Sequence, residues 1–205
     1  MQSTNPKDIL TLLNLMRAGL ASGLLSKEEI IDWAYKIIAK DDEPDIFFID
    51  LALSSSKSTG DILHYINDYL NFEKPTVDGR PLLGLIYKEY KSGRFSLEKT
   101  VTTIFRLKFE AIFTDKEEAF IYSIDDLYDC AKNNIYGTIE DVQKELEKFL
   151  SFYKDYSIDN FAHWKALYIE VDNKLEKDYL NQKELVELNK QSLALKNDKP
   201  WWKFW

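Results

Sequence analysis

Apolar residues return every three or four positions along most of this chain, the spacing of one face of an α-helix, and this period limits its possible folds more than any other feature. Ile9, Leu12, Leu13, Leu15, Met16 and Leu20 trace the first such face, behind Asn5 as a candidate cap and Pro6 as the first helical residue. That helix is expected to end near Ser22-Gly23. Ser26 opens the next, where Glu29 completes a capping box and Ile30, Ile31, Trp33, Ala34, Ile37 and Ile38 form a broad apolar face. Pro44 is expected to start a short buried helix through Ile46, Phe47, Phe48, Ile49, Leu51 and Leu53, although periodicity alone would also allow a strand there. Its helical neighbours favour helix. After a polar loop from Ser54 to Gly60, the stretch Asp61 to Leu70 resumes helical spacing with Ile62, Leu63, Tyr65, Ile66, Tyr69 and Leu70.

A turn-rich segment from Glu73 to Arg80, carrying Pro75 and Asp78-Gly79 and followed by Pro81, separates two stretches that resemble each other. A shift of 70 positions lays Ser22-Gly23 on Ser92-Gly93, Ser26 on Ser96, Glu28 on Glu98, Ile31 on Val101 and Tyr35 on Phe105. The preceding faces also coincide, Leu12, Leu13, Leu15 and Met16 falling on Leu82, Leu83, Leu85 and Ile86. Later helices correspond more loosely, Ile46 to Leu53 with Phe120 to Leu127 and Ile62 to Leu70 with Val142 to Leu150. Each period holds about four helices, more than one two-helix solenoid unit. The expectation is an all-α fold of two degenerate repeats packed side by side, residues 1–74 and 82–156, joined by 75–81. Residues 157–199 have no counterpart in the repeat. There Trp164, Leu167, Tyr168, Val171, Leu175, Tyr179, Leu185, Leu188 and Leu193 suggest a docked amphipathic helix or helix pair, because no strict heptad persists.

Composition narrows the function classes. A net charge of −8 repels nucleic acid and favours cationic partners, while also simply keeping a chain in solution. No apolar run approaches the roughly 20 residues that span a bilayer. The first residues have neither the basic nor the apolar region of a signal peptide, and the single cysteine, Cys130, has no internal disulfide partner. The cytoplasm is the expected compartment.

No phosphate-binding loop, HExxH, paired CxxC or GxSxG occurs, and the seven glycines are expected in turns and helix ends. His64 and His163 sit within amphipathic stretches with no neighbouring nucleophile signature, as surface or core histidines do. Cys130 reads as a small buried hydrophobe. Glu-x-x-His spacings, which a di-iron bundle needs, are missing. Neither a cofactor nor a metal is expected, and the chain is not expected to be an enzyme; an active site dispersed over several helices would instead bring His64 or His163 against carboxylates from other helices.

The carboxylates are more informative. Asp41, Asp42, Glu43 and Asp45 gather at a helix junction where the following helix N-terminus would favour negative charge. Asp115, Glu117, Glu118, Asp125, Asp126 and Asp129 form a second group, with Asp125 and Asp129 one turn apart on one helix face. They read either as a solvated face or as an acidic rim that receives a partner. Residues 200–205 end the chain with Trp201, Trp202, Phe204 and Trp205, three of the five tryptophans in its last five positions. Such a tail can clasp its own core, dock in trans as an interface anchor, or lie at a membrane surface.

The pattern Gly23-Leu24-Leu25-Ser26-Lys27-Glu28-Glu29-Ile30-Ile31-Asp32-Trp33-Ala34, then Pro44-Asp45-Ile46-Phe47-Phe48-Ile49-Asp50-Leu51, resembles helical immunity proteins of bacterial polymorphic-toxin systems. The resemblance covers about the first half and recurs in the second. It implies a cytoplasmic protein that binds and blocks a cognate toxin domain, often a basic nuclease, and it carries over no contact residue. The acidic residues expected to bind are Asp41, Asp42, Glu43 and Asp45, then Asp125, Asp126 and Asp129. The alternative is a helical scaffold that receives a peptide or self-associates through the aromatic tail.

Overall fold

The computed structural model describes residues 6–197, with side chains for 8–180 apart from residue 159. Among the described residues there are nine α-helices and no strand, so the all-α expectation holds. Asn5 and the aromatic tail, Trp201, Trp202, Phe204 and Trp205, lie outside the described residues.

Local chemistry starts and stops the helices. Helix α1 (Pro6–Ser22) ends where Gly23 takes φ +77°, and Leu24 N donates to Gly19 O at 2.8 Å. Only a residue without Cβ adopts that left-handed geometry at no steric cost. Helix α2 (Lys27–Ile38) carries the expected reciprocal capping box between Ser26 and Glu29. Helix α3 (Ile46–Ala52) is capped by Asp45, whose side chain accepts from Phe47 N. Helix α4 (Thr59–Leu70) starts earlier than the apolar spacing suggests, because Ser58 and Asp61 form a second capping box around Gly60. Then follow α5 (Arg80–Lys91), α6 (Leu97–Leu107), α7 (Asp115–Lys132) and α8 (Ile139–Ser151), the last three capped by Ser96, Thr114 and Thr138.

Three sequence expectations change. Helix α3 is not buried throughout: Phe47, Phe48, Leu51 and Ala52 face the core, while Ile46, Ile49 and Leu53 are exposed. Two turns of helix packed on one side leave the other side bare even when its residues are apolar. Gly19 and Gly84 lie inside α1 and α5 instead of at turns or ends. Finally, the carboxy-terminal helical region begins with a 3-10 segment, Ile158–His163, kinked at Asn160, before α9 (Trp164–Asn197) runs as one helix.

Residues up to Trp164 form one compact unit and those from Lys165 another. In the first, α1 lies against α4 and α6, α2 against α3, α5 against α6 and α8, and α7 against α6 and α8. One core cluster joins Leu12, Met16, Ile30, Trp33, Phe48 and Ile62, with Ile158, Phe161 and Trp164 half-buried against it. The turn-rich connection is anchored inside this unit, since Ile112 N donates to Val77 O at 2.8 Å and Gly79 N to Ile112 O at 2.9 Å. In the second unit, Tyr168, Ile169, Tyr179 and Leu180 are exposed.

Two arginines are buried in the first unit. Arg17 of α1 reaches Glu110 Oε2 at 2.8 Å and lies 3.7 Å over the Phe72 ring, linking α1 to the segments after α4 and α6. Arg80 donates from Nε to Glu117 Oε1 at 2.7 Å, with both side chains 1% exposed. Tyr153 donates its hydroxyl to the same Glu117 oxygen at 2.8 Å. Burial, with the Glu117 carboxylate beside it, pushes the Tyr153 hydroxyl far up and keeps it a donor.

Candidate interaction surface

The α2–α3 corner presents the first acidic group on a short, tightly tied segment. Asp41, Asp42 and Glu43 are exposed, and Asp41 accepts from the Glu43 backbone N–H at 3.1 Å, which fixes the turn. Asp45 is different. One of its oxygens caps α3 and the other accepts from the Tyr69 hydroxyl at 2.8 Å, so its charge serves the junction between α3 and α4. Burial first, and the Asp45 bond next, push the Tyr69 hydroxyl up to about 12, and it stays a donor at neutral pH. Phe47 stacks on Tyr69 with centroids 3.7 Å apart and on Tyr65 at 4.9 Å, while Tyr65 donates to Asp50 at 3.2 Å.

That rigid backing holds out an apolar stripe that periodicity assigned to the core. Ile46 is 73% exposed, Ile49 37% and the C-cap Leu53 68%, at i, i+3 and i+7 along one side of α3. Asp50 stands within the same helix, and Asp41, Asp42 and Glu43 lie in the turn before its cap. The signal that could have found the stripe was the length of α3: an apolar run on both faces of a two-turn helix exceeds what packing on one side covers.

The second acidic group is divided between core and surface. Glu117 belongs to the buried ion pair with Arg80 and also accepts from Thr114 N at 2.8 Å, so it is no part of a rim. Asp126 and Asp129 are exposed on α7, and Asp125 is half-buried beside them. Desolvation, then the charges of Asp129 and Asp126, hold the Asp125 carboxyl above its ordinary range. Raising the folded pKa means that protonation favours folding, so this contribution is full below the unfolded value of about 3.9 and is lost as pH rises through the folded pKa. Asp125→Asn is therefore expected to raise the urea midpoint at pH 7, with the difference from wild type vanishing by about pH 3. A lower midpoint for the variant at pH 7 would contradict this assignment.

Among the described residues neither histidine meets a carboxylate from another helix. His64 Nε2 lies 3.4 Å from Asp68 on its own helix, both side chains well exposed, beside a shallow depression lined with Ser56, Lys57, Asp61 and Tyr65. His163 is exposed and Cys130 half-buried. Among the described residues no three His, Cys, Asp or Glu side chains are grouped as metal ligands, and no helix is long and apolar enough to cross a membrane.

No family model, curated protein or solved structure matches this chain.

Proposed function

We propose that this chain is a non-catalytic protein-binding protein that neutralises a cognate basic toxin domain in the bacterial cytoplasm. The observation that carries the reading is the uncovered Ile46-Ile49-Leu53 stripe on α3, set among Asp41, Asp42, Glu43 and Asp50. An apolar centre inside a charged rim is the anatomy of a protein interface. The carboxylates would steer a cationic partner and speed its association, and the desolvated stripe would slow its release. Asp45 supports this surface through the α3 cap instead of contacting the partner, and Asp125, Asp126 and Asp129 extend the acidic field on α7.

The finer architecture belongs to the same reading. Two degenerate repeats are supported by the equivalent caps Ser26 and Ser96, by Gly23 and Gly93 at φ +77° and +76°, and by the matched pairs α1–α4 with α5–α8 and α2–α3 with α6–α7. The carboxy-terminal extension, residues 157–199, has no counterpart in either repeat.

The test uses the full chain and the partner that it retains from its native cytoplasm. Asp42→Lys/Glu43→Lys is expected to weaken binding about tenfold and reduce its salt dependence, and Leu53→Asp to weaken it at least as much by hastening release. Urea midpoints of these exposed variants are expected to stay at the wild-type value. Unchanged affinity in both variants would remove α3 from the interface, and a retained partner that is acidic would remove the toxin reading.

A further inference from the structure

Three aromatic rings surround one ammonium on the surface that α6 and α7 form. Lys108, the C-cap of α6, holds Nζ 3.3 Å from the Tyr122 ring centroid, 4.5 Å from Phe109 and 5.4 Å from Phe105. The rings form walls instead of a stack: Phe105 meets Phe109 at 76° and Tyr122 at 78°, with centroids 5.7 Å and 6.2 Å apart. Phe109 and Tyr122 remain 57% and 49% exposed, so the enclosure opens to water.

The faces of such rings carry negative potential, and several faces turned on one point make a site for a cation. The surroundings strengthen it. Glu118 and Asp126 stand one helical turn before and after Tyr122 on α7, and Asp125 lies three residues beyond it. In a chain of net charge −8, this surface is complementary to a positively charged group.

We propose that the Phe105-Phe109-Tyr122 enclosure is a recognition site for a lysine-type ammonium of a partner protein, and that Lys108 occupies it in cis in the free chain. The flexible four-carbon stem of Lys108, held at a helix end, allows the ammonium to swing into water when another cation enters. Binding therefore proceeds by exchange of one cation for another, and Lys108 lowers the apparent affinity for every competitor. The site is on α6–α7, apart from the α3 stripe, and does not depend on the toxin-neutralising reading.

The full-length protein tests this with tetramethylammonium chloride as probe, against sodium chloride at equal ionic strength, read from ring resonances of labelled Phe and Tyr. In Lys108→Ala the Phe105, Phe109 and Tyr122 signals are expected to shift saturably, with an apparent Kd about tenfold lower than in wild type. Lys108→Gln, which keeps most of the stem, is expected to behave alike. Adding Tyr122→Ala to either variant is expected to abolish saturation. Ring shifts no different from those in sodium chloride, equal affinity in wild type and both Lys108 variants, or saturation that survives Tyr122→Ala would each overturn the proposal.

Discussion

Glu117→Ala is expected to lower the unfolding free energy by about 3–5 kcal/mol, the range for removing one partner of a buried ion pair. Glu117 Oε1 accepts from both Arg80 Nε and the Tyr153 hydroxyl, and Oε2 accepts from Thr114 N and Oγ1 at the start of α7. Truncation leaves an arginine that is 1% exposed without the Glu117 carboxylate, a buried hydroxyl without its acceptor, and a helix cap without its reciprocal bond. Breaking the pair and replacing it are different operations. Arg80→Leu/Glu117→Leu is expected to be less destabilised than Glu117→Ala, because neither charge of this pair is then left buried without the other. Urea unfolding at neutral pH of wild type, the single and the double variant measures both differences, and a Glu117→Ala protein within about 1 kcal/mol of wild type would show the triad to be incidental.

Gly84→Ala is expected to destabilise by about 1–3 kcal/mol, the cost of overpacking a tight contact. Helix propensity predicts the opposite sign, a gain of about 1 kcal/mol for alanine inside a helix. Tertiary geometry decides against propensity here. A Cβ at position 84 would stand 2.5 Å from the Tyr153 carbonyl oxygen and 2.7 Å from Tyr156 Cβ. The carbonyl is held by the chain that leaves α8, where Tyr156 N donates to Tyr153 O at 3.0 Å and Lys88 Nζ to Tyr156 O at 2.8 Å, so α5 would have to retreat. A thermal midpoint above wild type for Gly84→Ala would mean that this contact relaxes freely.

The caps show how far sequence reading reaches. Ser26 with Glu29 was legible because both partners lie within four residues and the bonds close locally. Ser58 with Asp61 uses the same device, yet the intervening Gly60 gave the segment the composition of a loop. Of the candidate site, the exposure of Asp41, Asp42, Glu43, Asp126 and Asp129 follows from their charge. Glu117 has the same chemistry and sits in the core, because Arg80 arrives from another helix to meet it. Nothing within a few residues of either side chain announces that meeting.

By itself the amino-acid order determined the all-α class, the helix periodicity, most start signals and the acidic field, since each is set by contacts within a turn or two or by the sum of charges. Only the tertiary structure decided which apolar residues of α3 stay bare, that Lys108 stands among three rings, that Gly84 permits a close helix contact, and that Arg17 and Arg80 are buried. Each of these depends on which face a neighbouring element covers, and that choice is made by pairs of residues tens of positions apart competing for a limited packed surface.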